Sequence, residues 1–130
     1  MVGMATYRIE GARIHGIDDF YGELNRLVMA DEDWRLGASL DGLNDLLYGG
    51  IGALAGDEHP LFLWCDHQQS RTALGTDATR AWLTAKLDGP FDQALIRQQL
   101  RDLQAGTGKT YFELILEVFA DHPRVGLTLA

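Results

Sequence analysis

A chain of 130 residues, 46% hydrophobic and 23% charged, has the balance of a folded domain with an ordinary apolar core, which excludes disorder and fibre. Its formal charge of −8 argues against nucleic acid as a direct partner, because binding phosphates takes clustered Lys and Arg. The same charge suits a basic protein partner, although acidity by itself also keeps ordinary domains dispersed.

The opening MVGMATYRIEG lacks the basic and unbroken apolar regions of a signal peptide, and no apolar run is long enough to span a membrane. Neither export nor a membrane partner is expected. The single cysteine, Cys65, sits in the run LFLWC, where it reads as a small buried hydrophobe, and a reducing, cytoplasmic setting follows.

Thr6 to Ile14 reads as a strand and turn. A helix follows, with Asp18 as its candidate cap and Phe20, Leu24, Leu27 and Val28 recurring at helical spacing. Ser39 is the candidate N-cap of a short second helix, whose inward stripe is Leu40, Leu43, Leu46 and Leu47 and which GGIGALAG ends. Pro60 to Cys65 is a continuous apolar run, the pattern of a central strand covered on both faces. Helical patterns then occupy Asp77 to Leu87 (Ala81, Trp82 and Ala85 on one face), Phe91 to Leu103 (Leu95, Ile96, Gln99 and Leu103), and Thr110 to Ala120. The chain closes on a strand, VGLTLA. Strands separated by helices predict parallel pairing through helical crossovers, hence one small α/β domain spanning 1–130.

Several candidate chemistries fail on spacing. AGTGKT at 105–110 ends like a phosphate-binding loop, but Leu103 stands where the first glycine is needed and a helical pattern precedes it. His15, His59, His67 and His122 are scattered, and adjacent Cys65, Asp66 and His67 point to alternate sides of an extended chain, which suits a metal poorly. Ser70 has no recognisable nucleophile context and Cys65 no nearby base in sequence, so nucleophilic catalysis is not expected either, and neither metal nor cofactor is.

The informative stretch is DEDWRLGASLDGLNDLLYGG, Asp31 to Gly50. Asp31, Glu32, Asp33, Asp41 and Asp45 oppose only Arg35, a local charge of −4, half that of the whole chain. On a helix starting at Ser39, Asp41 and Asp45 stand four apart and repel by a few tenths of a kcal/mol. Such a pair is ordinarily a solvated face; it can also be an acid and base, or a surface that meets cations.

Gly37 followed by Ser39-Leu40-Asp41-Gly42-Leu43-Asn44-Asp45-Leu46-Leu47 resembles the barstar family of ribonuclease inhibitors, whose pattern is a glycine and then N-L-D-A-L-W-D-x-L. The order of the first strand and helix, the apolar strand ending in Trp64, ILEVFADH and the final GLTLA add to the resemblance, which covers roughly 6–66 and 111–130. It implies a three-stranded parallel sheet packed with helices, and a chain that is not an enzyme. Its partner would be a basic ribonuclease, whose active site an acidic loop and helix occlude. Asp41 and Asp45 match the central acids, and Asp121 a peripheral one. Three departures stand out: Asn44 replaces an aromatic, Arg35 stands where a contacting tyrosine is common, and a helical insertion occupies about 67–110. Trp34, one position before Arg35, supplies an aromatic. The partner-binding residues expected on this basis are Trp34, Arg35, Gly37, Asp41, Asn44, Asp45 and Asp121. The alternative is a regulatory protein-binding module that kept the fold without inhibiting a ribonuclease.

Overall fold

A computed structural model describes residues 5–130; residues 1–4, part of the opening stretch read above for a leader, lie outside the described residues. Strand β1 is Thr6–Glu10 and runs into a 3-10 turn at Gly11–Arg13. Helix α1 is Ile17–Val28, α2 is Leu40–Tyr48 and β2 is Leu61–Cys65. Four helices follow, α3 (His67–Ala73), α4 (Thr76–Lys86), α5 (Gln93–Gln104) and α6 (Tyr111–Ala120), and then β3 (Gly126–Leu129). The sheet is ordered β1-β2-β3 and all pairs are parallel, with Tyr7 opposite Phe62 and Phe62 opposite Leu127. This is the small α/β fold expected from the sequence.

The strand order explains why helices lie on one side only. When each crossover steps to the next strand in the same direction, the right-handed preference puts both sets of helices on the same face. Tyr7, Ile9, Phe62 and Trp64 are accordingly buried beneath them, whereas Thr6, Arg8, Leu61 and Thr128 are exposed on the other face. β2 is therefore central as expected, but the expectation of cover on both faces is corrected.

Trp64 anchors the buried side. Its ring stacks on Phe20 at 5.2 Å and tilts against Phe112 at 5.1 Å, while Phe62 meets Phe119 edge-on at 5.4 Å. The indole N–H donates to Ser70 Oγ at 2.9 Å, and that hydroxyl donates to the Gly11 carbonyl at 3.1 Å. Ser70 is thus a fully buried structural hydroxyl on α3, a helix that the sequence reading did not anticipate. Across the same core, the Tyr21 and Tyr111 hydroxyls share a buried hydrogen bond of 2.7 Å, and burial pushes both phenols above their ordinary pKa.

Three local expectations change. The cap of α1 is Gly16, not Asp18; Asp19 in the first turn instead accepts the His15 amide at 2.9 Å. On α4 the buried residues are Thr79 and Leu83, with Trp82 half-buried, while Ala81 and Ala85 are exposed. On α5, Ile96 and Leu103 are buried, but Leu95 and Gln99 face solvent. The cause is that α4 and α5 pack chiefly on each other, around Leu83, Ile96 and Leu103, in a small cluster beside the main core. Thr79 joins the two parts: its hydroxyl accepts the Tyr111 amide at 2.7 Å and donates to the Gly75 carbonyl. Among the described residues, no helix is long and apolar enough to cross a membrane.

Glu23 is the one buried acid on α1. Its carboxylate accepts the Glu10 amide at 2.9 Å and pairs with Arg26 at 2.7 Å. Burial alone would raise its pKa, but the Arg26 and Glu10 hydrogen bonds, with the Arg26 and Arg13 charges, outweigh it and lower the value. A carboxylate whose folded pKa is depressed adds stability that is present above the ordinary carboxylate range and lost as pH falls through it. Thermal melts of wild type and Glu23→Gln between neutral and acidic pH should show the wild type losing more of its stability on acidification. Parallel curves would mean that this carboxylate is not linked to folding.

Candidate partner-binding surface

The loop between α1 and α2 is built from side chain to backbone. Asn25 on α1 makes a reciprocal pair with Leu36, donating Nδ2–H to its carbonyl at 3.1 Å and accepting its amide at 2.7 Å. Arg35 Nη1 reaches the carbonyls of Met29 (3.1 Å), Glu32 (3.0 Å) and Trp34 (3.2 Å). The guanidinium that stood out in the sequence as a lone cation therefore staples the loop. Trp34 and Gly37 are exposed along it, and a Cβ on Gly37 would meet nothing.

Ser39 caps α2 as expected, its hydroxyl accepting the Gly42 amide at 2.9 Å. Leu43, Leu46 and Leu47 are fully buried and Leu40 half-buried, so the helix rests on an apolar base. Helical spacing then forces Asp41, Asn44, Asp45 and Tyr48 onto one outward stripe. Asp41, Asp45 and Tyr48 are exposed. Among the described residues, neither acid takes part in an ion pair or accepts a hydrogen bond; the four ion pairs all lie elsewhere.

Asn44 is the member of the stripe that turns inward. Its Oδ1 lies 2.7 Å from His122 Nε2, and the Tyr48 ring stands edge-on to the same imidazole at 4.7 Å. His122 is buried directly after Asp121, the exposed residue that ends α6, so this contact brings Asp121 to the flank of α2. The far end of α2 is held by Arg124, whose Nη2 donates to the Leu47 and Tyr48 carbonyls at 3.1 and 2.6 Å. Its Nη1 donates to the carbonyls of Asp57 and Glu58, both at 3.3 Å. Gly49 makes room: its φ is +94°, and a Cβ there would stand 2.4 Å from Arg124 Nη2.

Of the seven expected residues, Asp41, Asn44 and Asp45 are gathered on α2, Asp121 lies beside them, and Trp34, Arg35 and Gly37 occupy the loop leading in. Sequence reasoning missed His122 and Arg124 as the residues that fix this surface. No local pattern marks them, because each acts across the fold. Tyr48 was legible, being one turn beyond Asn44.

The competing motifs find structural employment. In AGTGKT, the amides of Thr107 and Gly108 both donate to the Asp102 carbonyl at 2.9 Å, Lys109 pairs with Glu117 at 2.8 Å, and Thr110 forms a capping box with Glu113 at the start of α6. Those donors close one helix and open the next. Among the described residues, no three His, Cys, Asp or Glu side chains gather as metal ligands would.

In comparison with known proteins, no family model matches this chain and no curated protein is significantly similar to it.

Proposed function

We propose that this chain is a barstar-like inhibitor, which binds a basic ribonuclease and covers its active site with the loop before α2 and the outer face of α2. The observation that carries the reading is the pair Asp41 and Asp45, exposed on a helix with a buried apolar base and, among the described residues, engaged in no ion pair. Cations that bind phosphate also bind carboxylate, often through two parallel hydrogen bonds, so these acids can occupy positions meant for substrate phosphates. Exposed Trp34 and Tyr48 add the amphipathic rings that interfaces favour. The strand and helix order through α2, and the sheet it enters, agree with the family resemblance.

The direct test is RNA hydrolysis by a small basic ribonuclease with rising amounts of the chain. Stoichiometric loss of hydrolysis is expected, with association slowing as salt screens the opposed charges. Undiminished hydrolysis at a large excess of the chain would reject inhibition of that enzyme. A second reading, a regulatory module that binds without inhibiting, is favoured by one observation. Asn44, which stands in place of the family's aromatic, is bonded inward to His122 and offers a partner less than that ring would.

A further inference from the structure

A groove of about 530 Å³ opens between the start of α2 and segment 67–110. Ser39, Leu40 and Asp41 line it from α2 and its cap; Trp82 and Lys86 of α4, with Phe91 beyond it, line it from the inserted segment. The Lys86 ammonium lies 4.0 Å from the centre of the Trp82 ring and 5.2 Å from that of Phe91. Ring faces carry negative charge density, so two of them around one point make a seat for a cation. Phe91 is 50% exposed, and its ring lies close over Gly89, where a Cβ would stand 2.8 Å from it. Trp82 is fixed from behind by Tyr111, edge-on at 4.8 Å.

The present occupant is loosely tied. Among the described residues Lys86 has no hydrogen bond and no ion pair, although Asp41 lines the same groove. Desolvation lowers its pKa, against an upward pull from Asp41. Its flexible stem can carry the ammonium back into water with no directed bond to break.

We propose that this groove receives an arginine side chain of the basic partner, and that Lys86 is an internal stand-in which leaves as the partner docks. This rests on the reading that α2 meets a basic protein and deepens it by assigning the inserted helices a share of the contact. Charge and shape both select arginine. A planar guanidinium stacks on an aromatic face while its edge offers a fork of donors to the Asp41 carboxylate, and an ammonium cannot do both.

The test uses the full ¹⁵N-labelled chain titrated with N-acetyl-arginine methylamide and its lysine counterpart, following the Trp82 indole N–H resonance. The arginine compound should shift that signal saturably and bind more tightly than the lysine compound. Lys86→Met should bind it roughly threefold to fivefold more tightly, and Phe91→Ala more weakly by a similar factor, with the rest of each spectrum preserved. An unmoved indole signal, unchanged affinity in Lys86→Met, or wild-type affinity in Phe91→Ala would each overturn the proposal. Ribonuclease assays separate it from the broader reading. Inhibition unaltered in Phe91→Ala, with no indole shift, removes the groove alone; an indole shift that behaves as expected in a chain that inhibits no ribonuclease removes the inhibitor reading alone.

Discussion

The double variant Asp41→Ala/Asp45→Ala should lose binding to a basic ribonuclease by about 4 kcal/mol, roughly a thousandfold in Kd, if each acid opposes a desolvated cation at the interface. Its fold should hardly notice. Relief of the i, i+4 repulsion adds a few tenths of a kcal/mol, and loss of Asp41 from the first turn removes a similar favourable interaction with the helix dipole. The two nearly cancel, so the melting temperature should stay close to that of wild type while affinity collapses. Calorimetric titration with a thermal melt on the same sample reads both. Wild-type affinity in the double variant would move the contact away from α2, and a large drop in melting temperature would show that the acids serve the fold instead.

The largest effect on stability is expected at Gly11, where the 3-10 turn after β1 comes against the end of β2. A Cβ there would lie 2.2 Å from the Cys65 carbonyl oxygen, 2.6 Å from that of Asp66 and 2.8 Å from Ser70 Oγ. Two of these are backbone atoms and the third holds the Trp64 indole, so none can give way cheaply. Gly11→Ala should therefore cost about 3 kcal/mol or more, at the upper end for overpacked cores. Urea unfolding followed by tryptophan fluorescence would measure it, with Gly16→Ala as a control at a position where a Cβ meets nothing. Equal midpoints for the two variants would contradict the close approach.

Much of this architecture was legible because it rests on local patterns. The alternation of Tyr7 and Ile9, the apolar run around Trp64, and the leucines of α2 each name an element and its buried side without help from the rest of the chain. Errors arose where a second element decides. α5 shows its mistaken face because, among the described residues, it packs chiefly on α4, so a narrow stripe through Ile96 and Leu103 suffices and Leu95 can stay in water. α3 escaped notice because HQQSRTA carries no apolar stripe; its buried anchor is the Ser70 hydroxyl, bonded to Trp64 on β2 and to Gly11 in the turn after β1, with Arg71 over the Phe112 ring and His67 on the Ala130 carbonyl. The acids of the candidate surface could be read from charge spacing. The part Arg35 plays in the loop could not, because three backbone carbonyls that only the folded loop brings together hold its guanidinium.

Arg124 carries a consequence for how any partner is bound. Its guanidinium ties the last carbonyls of α2 to the loop before β2, while Ser39 fixes the first turn and the leucines fix the base. The acid-bearing helix is thus preorganised at both ends, and docking need not spend binding energy on ordering it. Two exposed carboxylates can then deliver their interaction almost undiluted by entropy, as a short helix with frayed ends could not.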